Sequence, residues 1–236
     1  MNEYLNDQVS SRQTEFLYSQ AHNIGIAGLM GSVLLVASYW NKVNYYVLMG
    51  WFMIAFFLTM YRFTIAQRFA KRDRYGDSSQ WRRRFRFSMI AAGCLWGSIA
   101  IYIMASLPTT DLNILILILC GLSIGSAIIN ATFLEMFLSF AIPSVLAPGL
   151  FLAVQLQSDS FIVGVILLCW FTLMYTTAHR FNKFISRQLR FEAENIELIQ
   201  ELKAERARVE YLRDELQLKA QIIGDNFDKE TREKSH

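Results

Sequence analysis

The sequence predicts an all-α protein, a polytopic membrane bundle of about six spans followed by a long cytoplasmic coiled-coil helix. Three observations carry this expectation. The chain of 236 residues is 53% hydrophobic and only 18% charged, with a mean hydropathy of +0.26, a balance typical of a membrane protein with a soluble appendage. Apolar runs near the roughly 20 residues needed to cross a hydrocarbon core recur along the chain. After the last of them, residues 179–223 keep a sevenfold apolar repeat, and no proline or glycine interrupts it until Gly224.

These features divide the chain into an N-terminal segment (1–21), a six-span region (22–178), a dimerising helix (179–223) and a tail or junction (224–236). The N-terminal segment is polar and lacks the basic start and short apolar core of a signal peptide. Its Phe16, Leu17 and Tyr18 are expected to lie along the membrane surface. Spans are expected at 23–40, 45–61, 87–106, 112–131, 136–155 and 161–178. The tight connection from Trp40 to Tyr45 makes the first two a hairpin. Pro108, Thr109, Thr110 and Asp111 separate the third from the fourth, and Gln157, Ser158 and Asp159 the fifth from the sixth.

Lys and Arg set the orientation. The connection 62–86 holds Arg62, Arg68, Lys71, Arg72, Arg74 and the cluster Arg82, Arg83, Arg84 and Arg86, and Arg180, Lys183, Arg187 and Arg190 follow the last span. Lys42 is the lone cation on the other side. Both basic stretches are therefore expected in the cytoplasm, with both termini inside. Tyr39, Trp40, Tyr45 and Tyr46 fit an outer aromatic belt and Trp81 an inner one. The arginine cluster either sets topology alone or also holds anionic lipid head groups. Nothing resembles a nucleic-acid reading helix, so no nucleic-acid partner is expected.

Polar groups embedded in apolar sequence are candidate functional residues. Asn130 and Glu135 flank the turn between the fourth and fifth spans. Glu135 reads as a proton or cation site, as a partner for Arg62 or the arginines opposite, or as a carboxylate solvated at the interface. Asn130 reads as an interhelical hydrogen bond or a ligand contact. Pro143 and Pro148, followed by Gly149, each remove a backbone donor, so a kink or opened turn that lines a pocket or acts as a hinge is expected there. Glycines at Gly25, Gly28 and Gly31, Gly93 and Gly97, and Gly121 and Gly125 have the spacing of close helix packing. Cys94, Cys120 and Cys169 lie in apolar segments without metal-site spacing. His22 and His179 sit at one depth but are too few for a metal or a haem, so no metal and no cofactor is expected. There is no phosphate loop, paired nucleophile or zinc motif, and the chain is expected not to be an enzyme.

In the heptad frame of 179–223, Phe181, Gln188, Asn195, Leu202, Val209, Leu216 and Ile223 take the a positions. Phe184, Phe191, Leu198, Glu205, Leu212 and Lys219 take d. An apolar repeat of 3.5 residues suits two supercoiled helices, and Asn195 at a favours a parallel homodimer, where each amide meets its twin. Glu201 at g meets Arg206 at e of the partner. Glu205 and Lys219 weaken d, so the coiled coil is marginal and able to shift register.

The stretch 187–206, Arg-Gln-Leu-Arg-Phe-Glu-Ala-Glu-Asn-Ile-Glu-Leu-Ile-Gln-Glu-Leu-Lys-Ala-Glu-Arg, resembles the linker that follows the membrane domain of bacterial sensor histidine kinases and diguanylate cyclases. The final Arg-Glu-Lys-Ser-His of 232–236 resembles the residues just before the kinase phosphoacceptor motif. The phosphorylated histidine, the ATP-binding domain and any cyclase signature are not in the chain, so no catalytic residue carries over. The resemblance implies a multi-pass protein of the bacterial cytoplasmic (inner) membrane. It also implies a sensory input module that passes a stimulus through the parallel coiled coil to a cytoplasmic output domain, a histidine kinase before a cyclase. Without a sizeable outer loop the stimulus is expected in or near the bilayer: a hydrophobic small molecule, the lipid or membrane tension. A small transporter or channel with a coiled-coil assembly domain, and a scaffold recruiting a partner through its stalk, are the alternatives.

Overall fold

Every apolar run of the sequence is helical, and the breaks fall where backbone chemistry demands them. The computed structural model describes residue 18 and residues 20–70, 78–155 and 158–233. Its helices are α1 (Ala21–Tyr39), α2 (Tyr45–Ala70), α3 (Ser78–Ser106), α4 (Asn113–Ile129), α5 (Leu134–Ala141), α6 (Ala147–Val154) and α7 (Ser158–Glu233). Among the described residues there is no strand. Short 3-10 turns at Thr109–Asp111 and Asn130–Thr132 separate α3 from α4 and α4 from α5. Pro108 is extended (φ −67°, ψ 157°), and Phe133 does the same for the second turn (φ −129°, ψ 109°).

Four helical stretches are long and apolar enough to cross a membrane: Tyr45–Phe69, Gln80–Ser106, Leu134–Val154 and Ser158–Gln217. The apolar parts of α1 and α4, Asn23–Tyr39 and Asn113–Ile129, are shorter. At 1.5 Å per residue each is about 25 Å long, a few ångströms under the hydrocarbon thickness. The chain thus has the composition and helix lengths of a membrane protein. By contacts it divides into two units, residues 1–189 and 190–236.

Within the first unit α3 is the helix the others pack around. It touches α2, α5, α6 and the turn between the last two, and 56% of its apolar window is buried against 28% for α2. Two glycines make this possible. A Cβ at Gly93 would stand 2.5 Å from Pro143 Cγ, and one at Gly97 would collide with the Pro143 carbonyl. Pro143 itself lies in a π-helical turn, Ile142–Leu146. Having no N–H, proline cannot continue the α ladder, and one wide turn absorbs the defect without breaking the span. Ala147 N–H bonds the carbonyl of Ile142, and the Ser144 hydroxyl donates to Phe140 O at 2.7 Å. The expected interruption at the prolines is therefore a widened turn inside one continuous span, with Pro148 buried in α6. On the far side of that span Gly164 of α7 approaches the backbone of Gly149 and Ala153.

Three sequence expectations are corrected. Tyr39 is not in an outer aromatic belt: it is 1% exposed, donates to Asp111 O at 2.8 Å and accepts from Leu115 N–H at 3.2 Å. A phenol that reaches two backbone groups of a neighbouring helix start gains more inside than at an interface. Tyr18, the described member of the N-terminal aromatic trio, does not lie along a surface. It is buried, stacks on Phe69 at 4.0 Å and donates to Trp81 O at 3.0 Å. Phe16 and Leu17 fall outside the described residues. Lastly, the small-residue spacing does not mean close packing everywhere: a Cβ at Gly28, Gly121 or Gly125 would meet nothing within 4 Å.

The helix α7 bonds the rest of its unit at two levels. Trp170 Nε1–H donates to Ser123 Oγ at 2.8 Å, and Asn182 Nδ2–H donates to Thr132 O at 2.8 Å. The second bond lies beyond residue 178, where the sequence placed the end of the bundle. In the second unit, the described residues from Arg190 onward are a single helix with its apolar side chains exposed.

Candidate functional site

The three open glycines face a cavity at the end of the bundle that carries the arginines. It measures about 90 Å³ and is lined by α1, α2, α3, α4 and Phe140 of α5, with Ile24, Gly28, Met89, Trp96, Gly125 and Ser126 among its walls. Arg62 of α2 forms its polar end. One guanidinium nitrogen, Nη2, donates to Ser88 O at 2.7 Å and approaches Met89 Sδ at 3.5 Å. Arg62 Nε is buried with no hydrogen-bond partner, and among the described residues no carboxylate pairs with this side chain. Met89 Sδ is shared: Asn130 Nδ2 lies 3.9 Å from it.

Asn130 is 1% exposed. It caps the C-terminus of α4, and its Nδ2–H donates to Ser126 Oγ at 3.0 Å. That bond leaves the Ser126 hydroxyl proton for another acceptor. Asn130 Oδ1 has no partner. Asn130 therefore is an interhelical polar residue next to the cavity wall, holding the one hydroxyl that lines it.

Glu135 belongs to a separate cluster. It sits in the first turn of α5, where the helix dipole favours an anion. Its oxygens face Arg86 Nη1 at 3.1 Å and Arg82 Nε at 3.7 Å. Of the two pairings the sequence allowed, the one with the α3 arginines is formed and the one with Arg62 is not. All three side chains are about two-fifths exposed, so this ion pair contributes at most about 1 kcal/mol. Both carboxylate oxygens face guanidinium groups, the geometry of an ion pair rather than of a cation ligand. Arg82 also lies over the Phe133 ring at 5.3 Å, and Arg84 over Trp81 at 5.2 Å. Arg83 is exposed.

The other sequence candidates lie apart. Pro143 packs on α3 and Pro148 inside α6, and neither lines the cavity. His179 stacks on Tyr175 at 6.2 Å, and its Nδ1 is buried without a partner. The His22 side chain lies outside the described set. Among the described residues no group of three or more His, Cys, Asp or Glu side chains is placed to hold a metal. On the C-terminal helix, Phe184, Phe191, Leu198, Leu202, Val209, Leu212 and Leu216 are exposed, from 48% at Leu212 to 67% at Leu216. Asn195 is exposed among them. Lys219, which weakens a d position, pairs within its own helix with Glu215 at 2.7 Å.

Sequence reasoning counted Arg62 among the loop arginines and missed it as a site residue. The signal was present: it is the sole charge between Tyr45 and Gln67, with apolar residues on both sides. Comparison with family models, with curated proteins and with solved structures finds no match for this chain.

Proposed function

We propose that the chain is a six-span membrane sensory input module, dimeric through a parallel coiled coil, that relays a stimulus to a cytoplasmic output domain. A two-component histidine kinase is the leading output and a diguanylate cyclase the second. The observation that carries this reading is α7. This one helix bonds α4 and the α4–α5 turn through Trp170 and Asn182, and its sequence continues into a heptad seam of exposed Phe, Leu and Val side chains. Apolar residues at a and d that a single chain leaves in water call for a second copy. In this reading both termini are cytoplasmic, and the arginine end of the bundle faces the cytoplasm of a bacterial inner membrane. A stimulus acts by binding one arrangement of the bundle better than another. The module performs no chemistry itself.

Two experiments test it. Cysteines placed at Leu202 or Val209 should crosslink between protomers in membranes; crosslinking at Ala204 instead overturns the frame. Fusion to a kinase core should give autophosphorylation that changes with the stimulus and is locked in one state by Asn195→Leu. Ion flux in liposomes that disappears on Glu135→Gln would mark a transporter instead.

A further inference from the structure

From the cavity at Arg62 we infer a binding site for a single-chain amphiphile with a carboxylate head, a free long-chain acid rather than a phospholipid. The inference deepens the sensory reading by naming its ligand class.

Burying a guanidinium without a counter-charge costs several kcal/mol, so the site favours an anion from outside. The nearest acidic candidate in sequence terms, Glu135, is engaged by Arg82 and Arg86. A carboxylate suits the unfilled donors, because a guanidinium offers a planar fork that matches its two oxygens. Arg62 Nε is one such donor. The Ser126 hydroxyl, whose oxygen already accepts from Asn130, supplies another.

The rest of the cavity is apolar. Ile24, Trp96, Leu122 and Phe140 supply its walls, and the open glycines leave a slot between α1 and α4. At about 90 Å³ the space admits a carboxylate and the first part of one chain. Two acyl chains and a glycerol do not fit there. The remainder of the chain leaves through the glycine slot toward the lipid. Depth agrees with this: Arg62 is about 26 Å along α2 from Tyr45 at 1.5 Å per residue, close to one face of a hydrocarbon core about 30 Å thick. An acid head belongs at that level, with its chain directed to the bilayer centre.

The test is binding of radiolabelled dodecanoate to the full chain in phosphatidylcholine nanodiscs, which needs no output domain. Saturable binding, displaced by excess dodecanoate but not by dodecanol or dodecyltrimethylammonium, is expected. Arg62→Gln should weaken it by about tenfold or more, the loss of a charge-assisted pair. Arg62→Gln also removes the bond to Ser88 and so could perturb folding. Gly125→Leu, which fills open space and keeps Arg62, should abolish binding with an unchanged unfolding midpoint. Equal displacement by dodecanol would reduce the cavity to an apolar partition site. Absence of saturable binding would leave a hydrated cavity only, and binding retained in Gly125→Leu would place the acid elsewhere. Displacement of dodecanoate when phosphatidylglycerol is added to the disc would assign the site to a lipid head group and overturn the free acid. Dodecanoate that binds as expected without altering a kinase fusion would refute the sensory role and leave the site standing.

Discussion

The two ends of the bundle solve the same problem in opposite ways. At the end with the α1–α2 hairpin, Tyr39 reaches the Asp111 carbonyl and the Leu115 amide, and Lys42 pairs with Asp111 across the surface. Around them Leu48, Leu112 and Leu115 are fully buried. At the arginine end, four buried polar atoms have no partner: Arg62 Nε, Asn130 Oδ1, Thr132 Oγ1 and His179 Nδ1. All four of these described atoms lie at that end and none at the hairpin end. Unsatisfied buried groups cost about 1–3 kcal/mol each, so one end is built for stability and the other holds binding capacity in reserve.

Substitutions can break this contrast, and the largest effect is expected at neither end but in the middle. Gly97→Leu drives a side chain into the Pro143 backbone and should destabilise the bundle by about 3 kcal/mol, the upper range for overpacking. Thermal unfolding in detergent micelles reads this directly, and a midpoint within a degree of the parent would mean that α3 and the π-turn are not in contact. Next comes Tyr39→Phe, which removes both hydrogen bonds of the closed end and should cost about 1–2 kcal/mol in the same assay. Glu135→Gln should cost less, about 0.2–1 kcal/mol, with the difference fading as salt is raised. The smallest change is expected for Asn130→Leu, within about 0.5 kcal/mol of the parent or slightly stabilising, because an orphaned buried oxygen leaves with the amide. If Asn130→Leu costs as much as Tyr39→Phe, the two ends are alike and the contrast fails.

Much of the helix layout was legible in the sequence, because hydropathy and turn residues act locally. The runs at 45–61 and 87–106, the stop at Pro108 to Asp111 and the short turn before Glu135 all reappear. What the sequence could not carry depends on which faces meet. Tyr39 had the composition of an interfacial residue, and only the placement of the α4 start beside it makes burial favourable. Gly121 and Gly125 have the same spacing as Gly93 and Gly97, yet one pair borders a cavity and the other is pressed on Pro143. Spacing permits approach; the neighbour's position decides whether approach happens. Arg62 was obscured for a related reason. It precedes a run of other arginines, and its burial follows from α3 and α4 closing over it.

The π-turn at Ile142–Leu146 has a consequence for how this gene segment tolerates change in length. By spending a residue on a wide turn, the span presents Pro143 to α3 and, after it, Gly149 to α7. Deleting one residue from 142–146 would restore a uniform α ladder and rotate everything downstream by about 100°. Gly149 would then turn away from Gly164, and a bulkier neighbour would meet α7 in its place. Single-residue deletions in this window should therefore be far less tolerated than substitutions of Ile142, whose side chain is exposed.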